Sequence, residues 1–469
     1  MSQLVVIIGG GISGLAAAYE LTTRGVSFVL LEASERFGGL IHTDHVEGLT
    51  IESGADSMLA QKPAALELCE ALGLGPRLIS TTPPRTAYIH ARGTLHPIPS
   101  PSIFGVPITH ESIDQYALLP EAARARLKDN FEIQPAPDAQ DESVADFFRR
   151  QFGDDTVSLI AEPLLGGIHA GDVEQLSIAA VAPQLVRAEA ETGSVLRAFR
   201  DRAATMTVGT AAGTTATSNE GAFRSLRGGM GELVKALLDR LPDGSTWTAS
   251  PVVGVTRSSD QWVVSTHGNS FAAAAVIVAA PAHAAARILG PSLPGLANLC
   301  AEVPYVSTAS VAMSWPREQV PHPLAGTGFV VARQHSNLRI TACSWVTSKW
   351  AGRAPDEIVL LRAFVGGATD RNAVTLSDAE LIDLVARDLA DVHGITTPPV
   401  SARVHRWVDA GAQHNVGHVE RMHTIDRLAA AEPGLYVTGS GFRSIGVPDC
   451  IADGRRTAAA AADYVKIQR

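Results

Sequence analysis

The sequence predicts an α/β fold in which both ends of the chain contribute to one domain. A glycine turn joins a strand-like run to a helix-like run in IIGGGISGL, and a second follows the apolar run LYVT in GSGFRSIGVPDC near the other end. Helical and then strand-like segments lie between them. We therefore expect a discontinuous α/β domain from residues 1–84, 221–290 and 401–469, a helical insertion over 85–220 and a β-sheet region over 291–400.

Residues 3–32 form one predicted βαβ unit. The strand QLVVIIG runs into the turn GGGISG, a helix follows, and the strand VSFVLLE ends at Glu32. Gly9 permits the tight turn, Gly11 lets the backbone approach a pyrophosphate, and Gly14 lets helix and strand pack closely. Glu32 is placed to accept hydrogen bonds from ribose hydroxyls and to repel a 2′-phosphate. The unit predicts a Rossmann-type domain for FAD or NAD and disfavours NADP.

Composition excludes several classes of protein. The 469 residues are enough for two or three domains, and the net charge of −10 makes nucleic acid a poor partner. The four cysteines are far apart and form no CxxC or Cys/His cluster, so we expect no metal, no disulfide framework and a reducing cytoplasm. We expect no signal peptide and no membrane span, while the apolar, proline-rich stretch GTLHPIPSPSIFGVPI leaves peripheral membrane contact open.

The middle of the chain changes character twice. Segments such as LLPEAARARLKDNF, SVADFFRRQFG and LVRAEAETGSVLRAFRDRA indicate helices, whereas STASVAMSW, GFVVAR, LRITACSW and IVLLRAFVG indicate strands. SLRGGMGELVKALLDRL predicts an amphipathic helix after a glycine turn, and SPVVGV, QWVVST and SFAAAAVIVAAP predict a meander. No second GxGxxG follows a strand, which argues against a separate NAD(P)H site.

Several separated segments carry a resemblance to a known family. They are IIGGGISGLAAAYEL, EASERFGGLI, ESGADS, AEPLLGGIHAGD, SLRGGMGELVKAL, ITACSWVTSKW with LLRAFVGG, VGHVER and IGVPDCIADGR, which together run from residue 5 to about 456. In these motifs the chain resembles the FAD-dependent amine oxidase-like flavoproteins. AEPLLGGIHAGD, ITACSWVTSKW and IGVPDCIADG are more narrowly similar to the porphyrinogen oxidases of haem biosynthesis.

The resemblance implies FAD as cofactor and assigns its contacts to both glycine turns and the segments beside them. The expected cofactor-binding residues are Gly9, Gly10, Gly11, Ile12, Ser13, Gly14, Glu32, Ala33, Arg36, Gly38, Gly39, Leu40, Gly54, Ala55, Asp56, Ser57, Val252, Gly439, Ile445, Gly446 and Val447. The expected substrate-binding residues are Arg85, for a propionate, and Gly166 and Gly167, as backbone lining of the substrate cavity. The flavin N5 is expected to accept hydride, so the resemblance implies no catalytic side chain and no metal.

The reaction implied by the resemblance is the six-electron oxidation of a porphyrinogen to the porphyrin by O2, with release of H2O2. ITACSWVTSKW favours coproporphyrinogen III as the substrate, and protoporphyrinogen IX stays open. An amine oxidase or carotenoid desaturase is the alternative, disfavoured because the final glycine turn contains no tyrosine. Ferrochelatase and other haem-pathway enzymes are candidate partners, the oligomeric state is open, and the expected location is the cytoplasm or the inner face of the membrane.

The sequence departs from the family in two places. Ala412-Gln413-His414 stands where Pro-Gln-Tyr is usual, and Phe442-Arg443-Ser444 replaces an acidic or aliphatic-glycine form. Both departures lie near the expected flavin, so they put substrate fit and oxidant preference in doubt. Cys450 is expected to be an ordinary buried residue rather than a covalent flavin attachment, and His169 is expected to be structural rather than a proton acceptor.

Overall fold

The computed structural model describes residues 4–132, 141–209, 221–258, 260–443 and 445–468. Its strands are β1 (Val5–Ile8), β2 (Phe28–Leu31), β3 (Thr43–Val46), β4 (Leu49–Glu52), β5 (Met58–Leu59), β6 (Leu78–Ser80), β7 (Ala87–Ala91), β8 (Thr94–Pro97), β9 (Ser102–Ile103), β10 (Val106–Pro107), β11 (Phe223–Leu226), β12 (Thr246–Trp247), β13 (Val252–Ser258), β14 (Gln261–Thr266), β15 (Ser270–Ala273), β16 (Ala275–Val278), β17 (Tyr305–Pro316), β18 (Gly328–Val331), β19 (Ala342–Trp345), β20 (Ile358–Gly366), β21 (Ser401–Ala412) and β22 (Leu435–Val437).

The helices are α1 (Ile12–Thr23), α2 (Pro63–Ala71), α3 (His110–Asp114), α4 (Glu121–Asn130), α5 (Val144–Phe152), α6 (Asp154–Thr156), α7 (Gly167–His169), α8 (Ile178–Val181), α9 (Pro183–Thr192), α10 (Val195–Gly209), α11 (Gly231–Leu238), α12 (Ala282–Leu289), α13 (Pro294–Ala301), α14 (Val346–Lys349), α15 (Asp378–His393), α16 (His418–Ala430) and α17 (Val447–Ile467). A π-helix spans Val157–Gly166, and short 3₁₀ turns lie at Gly75–Arg77, Arg317–Gln319, Arg333–His335 and Ala373–Thr375. Over these described residues, no helix is both long and apolar enough to cross a membrane.

The chain forms two compact units. The first unit comprises Met1–Ser80, Ala222–Pro304 and His418–Arg469, and the second comprises Thr81–Gly221 and Tyr305–Gly417. The expected helical insertion and the expected β-sheet region thus belong to one unit. Residues 401–417, which the sequence analysis grouped with the two chain ends, also belong to the second unit, because β21 pairs with β17 along most of its length.

A five-stranded parallel sheet forms the centre of the first unit. Its order is β12-β2-β1-β16-β22, which is 3-2-1-4-5 in the order of these strands along the chain. Strand β1 reads VVII and is buried throughout, as expected for a parallel strand with both faces covered. Helices α1 and α17 share one apolar core with this sheet. The strand order is that of a Rossmann-type domain and confirms the predicted fold class.

The run SFAAAAVIVAAP divides into two strands that belong to different sheets. Its first part, β15, completes the antiparallel meander β13-β14-β15, and its second part, β16, joins the parallel sheet beside β1. The N–H of Ala274, between the two strands, donates to the carbonyl of Leu4. The sequence alone gave one continuous apolar run, since apolar alternation is lost where a strand is buried on both faces.

The second unit contains a seven-stranded sheet and a set of helices. The sheet order is β21-β17-β20-β19-β18-β7-β8, and the runs predicted as strands between residues 303 and 370 supply β17 to β20. Strand β7 pairs in parallel with β18, so residues 87–97, which the sequence analysis placed in the helical region, form two strands of this sheet. Helices α3–α5 and α8–α10 surround an apolar core that includes Phe147, Phe148 and Phe152.

Candidate functional site

The first glycine turn is fixed by the acid that ends β2. The carboxylate of Glu32 accepts the N–H of Gly10 at 2.7 Å, and its other oxygen accepts the N–H and the hydroxyl of Ser34, each at 2.7 Å. An ionised carboxylate offers about four acceptor positions. Three of them hold the turn and the following loop in place, which leaves one for a ribose hydroxyl.

Close backbone contacts explain why glycines occupy the turn. A Cβ on Gly14 would lie 1.9 Å from the carbonyl oxygen of Gly9, and a Cβ on Gly10 would lie 2.4 Å from the Phe37 ring. Gly9 has φ +106° and faces the carbonyl of Ala279, at the end of β16. These glycines are therefore required by the protein's own packing.

Gly11 differs from the other glycines of the turn. Its backbone is extended, with φ −70° and ψ 179°, and a Cβ there would meet nothing nearer than the Cα of Gly39, at 3.9 Å. Gly39 belongs to the second glycine pair, Gly38-Gly39, whose loop carbonyls accept hydrogen bonds from the Arg36 guanidinium. Burial lowers the pKa of Arg36 from its usual value. A Cβ on Gly39 would lie only 3.0 Å from the Cα of Gly11, so the two backbones are in close contact, and the open space is on the side of Gly11 to which its Cβ would point.

The β3–β4 hairpin brings the ESGADS segment to the same place. The N–H of Ala55 donates to the carbonyl of Leu40, and the N–H of Ser53 donates to the carbonyl of His42. The hydroxyl of Ser225 donates to the carbonyl of Asp56 at 2.7 Å. Gly54 and Ser57 flank Ala55 and Asp56 in this loop, so the segment predicted from residues 54–57 lies beside the segment predicted from residues 36–40.

The strand predicted to contact adenine begins next to Glu32. The N–H of Ser250 donates to the carbonyl of Glu32 at 2.8 Å, and the N–H of Ala249 donates to the carbonyl of Ser34 at 2.8 Å. Val252 opens β13 two residues later, and Ala33 lies exposed between the two anchoring residues. Val252 is therefore placed at the ribose end of the glycine turn.

The last glycine turn also lies at the end of the parallel sheet. Gly439, with φ +119°, follows β22, and a Cβ there would be 3.7 Å from the carbonyl of Ala279, the residue that Gly9 faces. Ile445 precedes Gly446, the N-cap of α17, and Val447 is the first residue of that helix. Helix α17 packs on the start of α1, since a Cβ on Gly454 would lie 2.3 Å from the carbonyl oxygen of Ser13. Ile12 and Ser13 begin α1 at this contact.

Cys450, on the first turn of α17, is a buried thiol. Burial raises its pKa to about 12, so the thiolate needed for nucleophilic attachment does not form at neutral pH. This agrees with the expectation that it is an ordinary buried residue.

In the glycine turn before α11, the backbone N–H groups already donate to side chains of the protein. The N–H of Met230 donates to Glu52 at 2.6 Å and the N–H of Gly231 donates to Thr43 at 2.9 Å. The N–H of Gly228 donates to Glu232 at 2.5 Å. These N–H groups are not available for a phosphate, and the turn serves packing.

The predicted cofactor residues therefore converge at the carboxyl ends of β1, β2, β16 and β22. The residue that sequence reasoning missed is Ala279, which contacts both glycine turns. Its signal was the small-residue pair after the apolar run VIV, because a bulky residue there would close the space between the turns. Ligands of open α/β sheets bind at this edge, where the strand order reverses.

The predicted substrate residues lie in the second unit. The Nε of Arg85 donates to the carbonyl and hydroxyl of Thr81, at 3.0 and 3.1 Å. In the described part of the chain, the hydrogen bonds of its guanidinium come from Nε alone, and they orient the group. Arg92, the weaker candidate, lies in the β7–β8 turn, where its Nη1 donates to the carbonyl of Leu118.

Gly166 and Gly167 end the π-helix and begin α7. Gly166 is buried, and its carbonyl accepts the N–H of Gly171, whereas a Cβ on Gly167 would meet nothing within 4 Å. Within the described ranges no hydrogen bond joins either glycine to Arg85.

Residues that follow β20 and β21 hold the turn after Gly167 by hydrogen bonds. The side-chain amide of Gln413 donates to the carbonyl of His169 at 2.9 Å, and the N–H of Ala368 donates to the carbonyl of Ala170 at 2.8 Å. Burial, with a smaller effect of His414, lowers the pKa of His169 to about 4, so its imidazole is neutral at neutral pH. The contact comes from Gln413, the middle residue of the 412–414 stretch, which is the same as in the usual Pro-Gln-Tyr form. Ser444 of the other departure lies outside the described residues.

These observations define the class of the protein: a Rossmann-type dinucleotide-binding protein with a second unit built on a mixed, mainly antiparallel sheet. The open space beside Gly11 and the acceptor left on Glu32 fit a pyrophosphate and a ribose.

Comparison with known proteins gives the family. The family model described as flavin containing amine oxidoreductase matches residues 12–462, and the chain belongs to this family. The chain is 35% identical to the coproporphyrinogen III oxidase of Bacillus subtilis (strain 168), over 98% of both chains. It is 33% identical to the coproporphyrinogen III oxidase of Propionibacterium freudenreichii subsp. freudenreichii, over 97% of this chain and 90% of that one. A crystal structure from Exiguobacterium sp. 255-15 matches with a TM-score of 0.84 and 32% identity, over 98% and 99% of the two chains.

The family membership settles the choice that the βαβ unit left open. FAD is the cofactor, and the residues described above fit it. The family is described as flavin containing, which decides against NAD, the alternative that the sequence allowed.

Proposed function

We propose that this chain is an FAD-dependent porphyrinogen oxidase of haem biosynthesis and that its substrate is coproporphyrinogen III. The observation that carries the proposal is the 35% identity, over 98% of both chains, to a protein named coproporphyrinogen III oxidase. The product is coproporphyrin III. Removal of six electrons and six protons from the substrate converts three O2 to three H2O2.

The chain's own residues bind and orient rather than react. Bound FAD supplies the hydride acceptor and its reoxidation by O2. The bridging carbon of a porphyrinogen lies between two pyrroles, so its hydride is already activated and no strong protein base is required. Glu32 holds the ribose end, Gly11 leaves room for the pyrophosphate, and the start of α17 lies at the end of the same sheet.

Arg85 is the proposed partner of a substrate propionate. Its Nε is held by Thr81, so the guanidinium is oriented before substrate arrives. A fixed guanidinium edge can bind a carboxylate through two parallel hydrogen bonds. Gly166 and Gly167 are proposed to present backbone to the macrocycle, because Gly167 has open space where a side chain would stand.

The deciding experiment is anaerobic mixing of the purified, flavin-loaded protein with each porphyrinogen. We expect coproporphyrinogen III to bleach the flavin absorption and protoporphyrinogen IX to do so more slowly. In air, one coproporphyrin III and three H2O2 should form per substrate consumed. Faster bleaching by protoporphyrinogen IX would reassign the substrate, and bleaching by neither, with reduction by an amine or a carotenoid, would refute porphyrinogen oxidation.

Location and protein partners are separate proposals. We propose a cytoplasmic protein that passes its product to the next haem-pathway enzyme, with ferrochelatase as the candidate partner. Cell fractionation and co-purification test these two points independently of the substrate assay.

A further inference from the structure

The turn after β22 is held from two sides by charged side chains. This turn comprises residues 438–443 and precedes the flavin-side residues Ile445 to Val447. The carbonyl of Gly439 accepts the N–H of Phe442 at 3.0 Å, which closes the turn, and the Phe442 side chain is fully buried. Arg443 follows, within the stretch Phe442-Arg443-Ser444 that the sequence analysis identified as a departure from the family.

Helix α16 holds one side of the turn. The guanidinium of Arg443 donates to both oxygens of Asp426 on α16, at 2.8 and 2.7 Å. About two turns earlier, at the first residue of α16, the Nε2 of His418 donates to the carbonyl of Phe442 at 3.2 Å. The paired hydrogen bonds fix both the distance and the orientation of the turn relative to α16.

Helix α17 holds the other side. The Nε of Arg443 donates to Asp453 on α17 at 3.3 Å, and the same carboxylate accepts the hydroxyl of Thr438 at 2.5 Å. Thr438 and Asp453 are both buried. One arginine therefore connects α16, α17 and the end of β22 through two carboxylates.

We propose that Arg443 and Asp426 are positioning residues that fix the turn of residues 438–443 against α16 and so set the position of the flavin-side residues Ile445 to Val447. Neither residue needs to touch FAD for this role. Breaking the pair frees the turn to move away from the cofactor, which weakens FAD binding. The proposal rests on FAD binding and not on which porphyrinogen is oxidised.

A direct electrostatic role of Arg443 makes the opposite prediction for its partner. FAD carries a negatively charged pyrophosphate, so removing a nearby cation weakens binding and removing a nearby anion strengthens it. If the pair acts by position, both Arg443→Gln and Asp426→Asn weaken binding, because each breaks the same paired contact. The sign of the Asp426→Asn effect therefore separates the two mechanisms.

The experiment measures release of FAD from the diluted holoenzyme by the rise of flavin fluorescence. We expect the dissociation constant to rise roughly tenfold in Arg443→Gln and in Asp426→Asn, since a charge-assisted hydrogen-bond pair is lost in each. The double variant should be no weaker than the worse single variant. Arg443→Lys, which keeps the charge but not the paired geometry, should give an intermediate value.

The matched control is the paired contact between Arg339 and Asp370 in the second unit, at 2.8 and 3.1 Å. Arg339→Gln and Asp370→Asn should lower the Tm without changing FAD release. A wild-type dissociation constant in Asp426→Asn, or tighter binding, overturns the proposal, as does a full rescue by Arg443→Lys. Should Arg443→Gln fail to fold, Asp426→Asn decides, because Asp426 is partly exposed. The assay contains no porphyrinogen, so its result does not depend on whether the proposed substrate is correct.

Discussion

The variant Gly11→Ala tests whether Gly11 is required for binding of the cofactor or for stability of the fold. The added methyl would meet no protein atom nearer than 3.9 Å, and the backbone at Gly11 is in a region open to every residue. Alanine is less suited than glycine to an N-cap, which destabilises the folded chain. Alanine also lowers the conformational entropy of the unfolded chain, which raises the free energy of unfolding by about 0.4–1 kcal/mol. These effects oppose each other, so the free energy of unfolding should change by less than about 1 kcal/mol.

FAD binding should respond much more strongly. If the pyrophosphate passes beside Gly11, in the open space to which its Cβ would point, the methyl occupies its path, and overpacking of this kind costs about 1–3 kcal/mol. That cost corresponds to a dissociation constant roughly 5- to 150-fold higher. Gly11→Val, with a larger and branched side chain, should abolish binding.

The assay pairs calorimetric melting of the apoprotein with flavin titration. Gly295→Ala on α13 is the neutral control, because nothing lies within 4 Å of its added Cβ. It should lower neither the Tm of the apoprotein nor its affinity for FAD. Gly14→Ala is the opposite control, because its Cβ would lie 1.9 Å from a backbone oxygen, and it should lower the Tm. Normal FAD affinity in Gly11→Ala would refute the proposed pyrophosphate path, and a Tm loss as large as that of Gly14→Ala would refute the packing argument.

Three further predictions concern the substrate, the thiol and the pH dependence of stability. Arg85→Gln should raise KM for the porphyrinogen about 10- to 100-fold with unchanged FAD content, whereas Arg92→Gln should have a smaller effect; loss of FAD from Arg85→Gln would show that the residue is misplaced. Cys450→Ala should keep its flavin, and acid precipitation should release the flavin of the wild-type protein completely; flavin retained in the pellet would mean a covalent bond. Burial lowers the pKa of His393 to about 4 in the folded chain, while its Nε2 accepts from Trp345. The unfolded chain therefore binds an extra proton below pH 6.5, and stability is lost as the pH falls from 6.5 to 4, by up to roughly 3 kcal/mol. Urea unfolding of His393→Leu should show a shallower pH slope over this interval, and an unchanged slope would contradict the assignment.

Local signals predicted the first glycine turn well. The predicted strand, turn, helix and strand appear as β1, α1 and β2, and the glycine at residue 25 has φ +66° just after the helix. These features depend on neighbours within a few residues, where backbone sterics and capping decide. The strand-like runs that became β17 to β20 were found for a similar reason, since each is apolar and bounded by charged or turn residues.

Contacts between distant segments could not be found in the same way. Ala279 contacts both glycine turns only because β16 lies between β1 and β22 in the sheet. Asp426 precedes Arg443 by seventeen positions and lies on another element, so nothing in the local pattern marks the pair. The departure at Arg443 was visible as an unusual residue, but its meaning depends on where α16 packs.

The two glycine turns before α1 and α11 show why a glycine motif does not by itself identify a phosphate site. Both present a run of backbone N–H groups at the start of a helix, which is the arrangement that binds anions. Before α11, the five N–H groups from Gly228 to Glu232 all donate to protein oxygens, including the side chains of Thr43 and Glu52. Before α1, the acid Glu32 takes the N–H of Gly10, and the backbone at Gly11 borders open space. A cofactor turn therefore differs from a packing turn in whether side chains from a distant hairpin accept hydrogen bonds from its backbone N–H groups. The residues of the turn itself do not indicate whether such a hairpin packs against it.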